Sequence, residues 1–385
     1  MPELAPREVC TGCSACASAC PKNSIRMVAD ENGFAVPVVD SETCVNCGLC
    51  ENSCPILQPH SLAGRNPKAY AAYSKDEASR LESSSGGVFT ELARVILKQG
   101  GAVFGAAYDK TARVAHICAE CEEDLAKLRG AKYAQSALSD TFVQVKKRLD
   151  RGQLVLLSGT PCQVGGLRGF LRRDYENLLL VDFVCHSVPS PLAWEEYVRF
   201  RALTDNRGEP PVNVNLRSKE TGWSRYQYSN LFEYAGNKRS LLKTNESLFM
   251  KLFVGGYVSR EACSCCHFKG YERISDLTLG DFWGIWDIAP EMDDNKGTSV
   301  VLVQSERGAE FWAQLMDKLV IKQLSLTEAS SQNPAMLQPS QADGRRQEAL
   351  ARIRNGKIHE LDAWVSEPAP GLLQRLKSRV KRLLK

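Results

Sequence analysis

Apolar residues change their period several times along this chain, and the changes divide it. Between residues 69 and 184, short apolar runs at 69–73, 102–108, 114–119, 154–158 and 178–184 read as strands. Several are continuously apolar, as strands covered on both faces are. Helical patterns lie between them. Val88, Leu92, Val95 and Ile96 repeat at helical spacing over 88–99, and further helices are predicted over 122–128, 138–151 and 163–171. Strands alternating with helices predict an α/β unit (α+β overall) with a mainly parallel sheet, in which the turns after the strands carry the ligand site. Later segments predict a strand at 298–304, a helix at 308–319, a polar loop at 325–343 and a helix at 345–358. Near the start, 24–28 and 34–39 read as two short strands about an Asn32-Gly33 turn.

The end of the chain has its own pattern. Leu372, Leu373, Leu376, Val380, Leu383 and Leu384 form one stripe, with Arg375, Lys377, Arg379, Lys381, Arg382 and Lys385 opposite. A basic amphipathic helix hinged at Pro370-Gly371 is expected, suited to a membrane surface or a partner protein. Four units are thus expected: 1–66, an α/β part at 67–150, a second α/β part at 151–345, and a helical basic tail at 346–385. The formal net charge is +4 over 385 residues, and the six tail bases exceed it, so the body is near neutral and does not ask for nucleic acid. Residues 1–9 lack the basic-then-apolar order of a secretory signal, and no apolar run approaches the roughly 20 residues of a membrane span. With fifteen cysteines, that points to a reducing, cytoplasmic setting, with contact at the inner membrane face through the tail.

The cysteines carry the chemistry. Cys10, Cys13, Cys16 and Cys20 precede Pro21, and Cys44, Cys47, Cys50 and Cys54 precede Pro55. Both runs read C-x2-C-x2-C-x3-C-P, the bacterial two-cluster ferredoxin pattern, whose fourth thiolate crosses to the other cluster. Two [4Fe–4S] clusters are expected, one on Cys10, Cys13, Cys16 and Cys54 and the other on Cys44, Cys47, Cys50 and Cys20. Zinc sites use separated C-x2-C pairs, a layout that this doubled run does not supply.

Further along, Cys162 opens a glycine-rich helix and Cys185 follows the next strand, so two thiols stand at neighbouring strand ends. Cys263 and Cys266 can complete a set of four, with Cys265 as a spare that could replace either. A third [4Fe–4S] cluster is expected there; counting alone also allows one zinc. Cys118 and Cys121 have no second pair beside them and read as structural thiols. The serines at 83–85 are expected to cap the helix at 88–99, and Gly86-Gly87 to let an anion such as a flavin pyrophosphate approach its N–H groups.

Taken in order, the doubled cysteine run, Ser-Ser-Ser-Gly-Gly at 83–87, Leu-Arg-Gly-Ala-Lys-Tyr-Ala-Gln-Ser at 128–136, Ser-Gly-Thr-Pro-Cys-Gln at 158–163, Asp-Phe-Val-Cys-His-Ser-Val-Pro-Ser at 182–190 and the block at 263–284 resemble the beta-subunit family of coenzyme F-420 hydrogenases and dehydrogenases. The resemblance covers about residues 8–320. It implies a non-covalent FAD beside a [4Fe–4S] cluster held by Cys162, Cys185, Cys263 and Cys266. Ser85, Gly86, Gly87, Lys132, Ser136, Gly159 and Thr160 fall in the flavin-binding stretches. Stand-alone bacterial members with an N-terminal ferredoxin are most similar, and many accompany surface-polysaccharide genes. Ser187 departs from the glycine frequent in relatives but removes no ligand.

The expected reaction follows. A low-potential donor (a ferredoxin, or a hydrogenase or dehydrogenase subunit) reduces the ferredoxin clusters, the third cluster feeds FAD, and an organic substrate takes hydride. His186 and Asp281 are the candidates for moving the accompanying proton. The alternative is a relay that serves a partner enzyme and has no substrate of its own.

Overall fold

The computed structural model describes residues 1–224 and 227–366. Its strands, in chain order, are β1 (Ile25–Ala29), β2 (Ala35–Val39), β3 (Lys68–Ser74), β4 (Ala102–Tyr108), β5 (Val114–Ala119), β6 (Val155–Gly159), β7 (Leu178–Phe183), β8 (Asn213–Ser218), β9 (Ser229–Tyr234), β10 (Lys238–Lys243), β11 (Leu277–Asp281), β12 (Ser299–Val303) and β13 (Leu319–Leu324). The N-terminal cysteine module pairs β1 with β2 antiparallel, Ile25 opposite Val39. Its turn is fixed by the Asp30 carboxylate, which accepts from the N–H groups of Asn32 and Phe34, while Gly33 supplies the positive φ of 82°.

One eight-stranded sheet, ordered β13-β3-β12-β11-β7-β6-β4-β5, forms the body. Its centre, β11-β7-β6-β4, is parallel, in agreement with the apolar runs at 154–158 and 178–184; the flanking pairings are antiparallel, so the sheet is mixed. Because β3 lies between β12 and β13, strands from both sides of residue 150 share this sheet and its two buried faces.

A three-stranded antiparallel sheet, β10-β9-β8, sits over a second core in which Trp194 and Tyr197 of the helix Pro191–Asn206 meet Phe232 and Phe249. Trp194 and Phe249 meet edge-on, with ring centroids 5.0 Å apart. The segment at 346–366, expected to open a separate tail, is a correction: Leu350, Ile353, Leu361 and Trp364 are buried in this same core. The amphipathic stripe at 372–384 lies outside the described residues. The loop expected at 325–343 contains a helical turn, Leu326–Ser330, begun by a Ser325/Glu328 capping box.

The helix Pro161–Leu171 carries Gly165, Gly166 and Gly169, an unfavourable composition for a helix interior. Packing explains it. A Cβ on Gly166 would come within 2.9 Å of the Cys13 sulfur, and one on Gly169 within 2.1 Å of the Ser53 carbonyl oxygen. Gly166 and Gly169 let the cysteine module seat flush on the body.

Candidate functional site

The eight N-terminal run cysteines lie in two neighbouring groups, with Cys16 also within electrostatic reach of Cys50. Cys13 and Cys16 are buried together, within electrostatic reach of Cys54, and Cys10 adjoins Cys16; burial pushes the Cys16 thiol up to about 12 and the Cys13 thiol up as well. Cys20, Cys44, Cys47 and Cys50 line one small hollow. The fourth cysteine of each run therefore stands with the other run.

A third group comes from three separate segments. Cys162 lies in the first turn of the helix Pro161–Leu171, Cys185 just past β7, and Cys263 and Cys266 at the short 3₁₀ turn Glu261–Cys265. These four lie within electrostatic range of one another, and burial pushes Cys263 up to about 12 and raises Cys162 and Cys185. Buried thiols crowded in this way suit a centre that takes them as thiolates. Cys265 is exposed, its sulfur directed at the Glu8 carbonyl. Among the described residues no three His, Cys, Asp or Glu side chains are gathered as a single ion needs. Cys13 is also within reach of Cys162, so the third group adjoins the first.

Beside it opens a cavity of about 840 Å³. Its wall takes Thr11 and Gly12 from the cysteine module, Cys162 and Cys185 from the third group, and Ser85, Gly87, Lys132, Ser136, Gly159, Thr160, His186 and Asp281 from the body. Gly86 is the exception. It is buried in the sheet edge, donating its N–H to Ser299 Oγ and accepting from Ser74 N–H, and a Cβ there would meet the Ala72 oxygen at 2.4 Å. The expected serine cap is also corrected: the helix Val88–Lys98 starts from Gly87 at φ 85° with no side-chain cap. Ser85 Oγ instead donates to the Thr298 carbonyl and Ser83 Oγ to the Ser79 carbonyl. Val88 and Phe89, at the uncapped helix start, line the cavity.

A hydrogen-bond chain organises the cavity floor. Thr160 N–H donates to Gln163 Oε1, and Gln163 Nε2 donates to Ser136 Oγ. The Ser136 hydroxyl reaches His116 Nδ1 at 3.0 Å, and His116 Nε2 reaches the Ser158 carbonyl at 3.1 Å. A carbonyl only accepts, so the imidazole proton sits on Nε2 and Ser136 donates to Nδ1. Burial holds His116 neutral, its pKa lowered to about 4. Lys132 donates to the carbonyls of Lys127 and Arg129, and burial brings its ammonium down to about 7.

At another part of the wall, Arg217 Nη2 donates to Asp281 Oδ2 at 2.9 Å. The guanidinium stacks on Tyr228, Trp223 and Trp283 at 3.9, 4.3 and 5.1 Å. Burial raises the Asp281 carboxyl, opposed by Arg217. His186 contacts Ser340 Oγ through Nε2 and the edge of Phe253, and burial lowers its pKa.

Models of the coenzyme F420 hydrogenase/dehydrogenase beta subunit match residues 69–142 (N-term) and 152–329 (C terminus), and a 4Fe-4S dicluster domain matches 9–56. The chain belongs to this beta-subunit family. Like the family, it is an iron–sulfur electron-transfer protein of oxidoreductase type. Among solved structures, a chain of the F420-reducing [NiFe] hydrogenase complex from Methanosarcina barkeri is similar at a TM-score of 0.48 and 16% identity, over 78% of this chain and 93% of that one. No curated protein matches the chain.

Within this beta-subunit fold, two residues of the site carry no local signal in the sequence. His116 is one imidazole inside a strand and Arg217 one base on β8. Only their partners, 20 and 64 residues away, make them parts of a site.

Proposed function

We propose that this chain takes electrons from a low-potential donor through three [4Fe–4S] clusters to FAD bound in the cavity, where an organic substrate is reduced. The ferredoxin clusters are assigned to Cys10, Cys13, Cys16 and Cys54 and to Cys20, Cys44, Cys47 and Cys50, the third to Cys162, Cys185, Cys263 and Cys266. The observation that carries this reading is the cavity wall, which combines Thr11 and Gly12 of the ferredoxin module with Cys162 and Cys185. The third cysteine group, with the first beside it, therefore borders a large cavity.

When bound, FAD supplies the exchange between single electrons and hydride. The chain's own residues would hold it. The uncapped helix start at Gly87, Val88 and Phe89, together with Lys132, suits an anionic pyrophosphate, and Ser136, Gly159 and Thr160 offer hydroxyl and backbone contacts across the floor. A cavity of about 840 Å³ is within the range of cofactor sites. Of the two groups proposed to move a proton, Asp281 already accepts from Arg217, which leaves His186 the freer.

The test is anaerobic stopped-flow reduction of the reconstituted full chain by a one-electron donor. Cys162→Ala should leave reduction of the ferredoxin clusters fast and slow flavin bleaching by at least tenfold. Bleaching at the full rate would remove the third centre from the path. Surface-glycan precursors are the first acceptors to try. Among the described residues no helix is long and apolar enough to cross a membrane. We assign inner-face membrane contact to 371–385, so a chain ending at residue 370 should lose binding to anionic vesicles.

A further inference from the structure

The loop at 130–136 lines the cavity along its whole length, and among the described residues none of its backbone N–H or carbonyl groups joins a backbone–backbone hydrogen bond. Pairing resumes only at Ala137, whose N–H donates to the Val114 carbonyl at 2.9 Å. Side chains therefore fix the course of the loop. Lys132 bonds back to the carbonyls of Lys127 and Arg129, beside the loop's own start. Tyr133 sets its ring 4.8 Å from that of Phe253. Ser136 joins His116 and Gln163 of the body.

Gln135 is the member that reaches the cysteine module. Its Oε1 accepts from Ala35 N–H at 2.9 Å and from Arg260 Nη1 at 3.2 Å. Two donors on one oxygen fix which way the amide faces, and Nε2 is left toward the Thr11 and Gly12 carbonyls at 3.4 and 3.5 Å. Arg260, 5% exposed, closes the same junction: Nε donates to the Cys10 carbonyl at 2.8 Å and Nη2 to the Ala35 carbonyl at 3.1 Å. The fit is tight. A Cβ on Gly12 would stand 2.6 Å from Gln135 Nε2 and 2.9 Å from Arg260 Nη1. Thr11 and Gly12 are themselves cavity wall, so one amide ties together two parts of that wall, one from the module and one from the loop.

We propose that Gln135 is a positioning residue for the cavity's ligand: through it the seated cysteine module holds the loop at 130–136 in its binding shape, so that docking of the module sets how tightly the body holds FAD. The inference rests on the reading that the cavity holds FAD. It gives the module a second role besides its clusters. No bond forms or breaks in this role. The module removes the loop's freedom before the ligand arrives, and a ligand that meets an ordered loop binds without the cost of ordering it.

The experiment has two arms on the reconstituted full chain, with an iron count on every sample. Limited trypsin digestion without added flavin reads the loop, since Arg129 and Lys132 are tryptic sites at and within it. Gln135→Ala is expected to speed cleavage after these two residues several-fold at unchanged iron, whereas a general loss of packing would speed cleavage throughout the chain. Fluorescence quenching reads FAD. Gln135→Ala should weaken it by about fivefold or more, as the loss of one ordinary hydrogen bond would. Gln135→Glu keeps both acceptor bonds, to Ala35 N–H and to Arg260, and should bring both readings back near those of the unaltered chain. Gln135→Asn, one methylene too short to reach the module, should behave as the alanine variant does and serves where that variant does not fold. Unchanged FAD affinity in Gln135→Ala, or cleavage after Arg129 and Lys132 no faster than before, overturns the proposal. If the unaltered chain bound no FAD, the underlying reading would fall, and the digestion arm alone would decide whether the module holds the loop.

Discussion

Gly166 lies against Cys13, so close that a Cβ on the glycine would stand 2.9 Å from both the Cys13 sulfur and its Cβ. Contact between the cysteine module and the body is therefore set by the width of a helix without side chains. Gly166→Ala should destabilise by about 1–3 kcal/mol through overpacking, less the small gain in helix propensity. Gly169→Ala should cost more, since its Cβ would meet a backbone oxygen that cannot rotate away. Gly344, with open space around it, is the control. Thermal unfolding and retained iron read all three, and equal behaviour at 166, 169 and 344 would contradict the flush docking.

His116 gives a pH dependence with a definite sign. Its folded pKa of about 4 lies below the ordinary 6.5, so the unfolded chain binds the proton first as pH falls. Stability is complete above about 6.5 and declines between there and 4, by on the order of 1–3 kcal/mol from this ring, discounted because it lines a cavity. Denaturation midpoints of wild type and His116→Asn should converge on acidification over that window. A constant difference would show that the ring is not held neutral.

Arg217 and Asp281 form a buried pair, Arg217 4% exposed and Asp281 21%. Arg217→Met leaves the carboxylate without its partner and should cost about 3 kcal/mol, while Asp281→Asn, still able to accept from Arg217, should cost less. Urea denaturation of both variants reads the order. If the two costs were reversed, the pair would not be what holds this wall.

Lys132 ties cofactor affinity to pH. Below about 7 its ammonium is charged in the free protein; above that it has lost its proton, and an arriving anion must restore it. FAD affinity measured by fluorescence quenching should fall as pH rises from 7 to 9, and the fall should be absent in Lys132→Met. The same slope in both would take Lys132 out of the anion site.

What could be read from the sequence was what lies close along it. The two C-x2-C-x2-C-x3-C-P runs are local patterns that the 4Fe-4S dicluster match covers, and the strands at 102–108 and 114–119 coincide with β4 and β5. β10 could not be read this way: Lys238–Lys243 carries three bases and lies partly exposed, so its pattern is that of a loop. β13 was hidden because the apolar residues past Ala313 continue the helical spacing, and only pairing with β3 makes Leu319–Leu324 a strand. The sequence does not say which surface approaches the glycines of the helix Pro161–Leu171. Arg260 and His116 depend wholly on distant partners.

The most direct measurement is the content of iron, acid-labile sulfide and flavin per chain after anaerobic reconstitution. About twelve iron atoms, matching sulfide and one FAD are expected if the third group and the cavity do what their placement suggests. About eight iron atoms with no flavin would contradict it, leaving a ferredoxin module seated on an α/β body that neither holds a third cluster nor reduces a substrate.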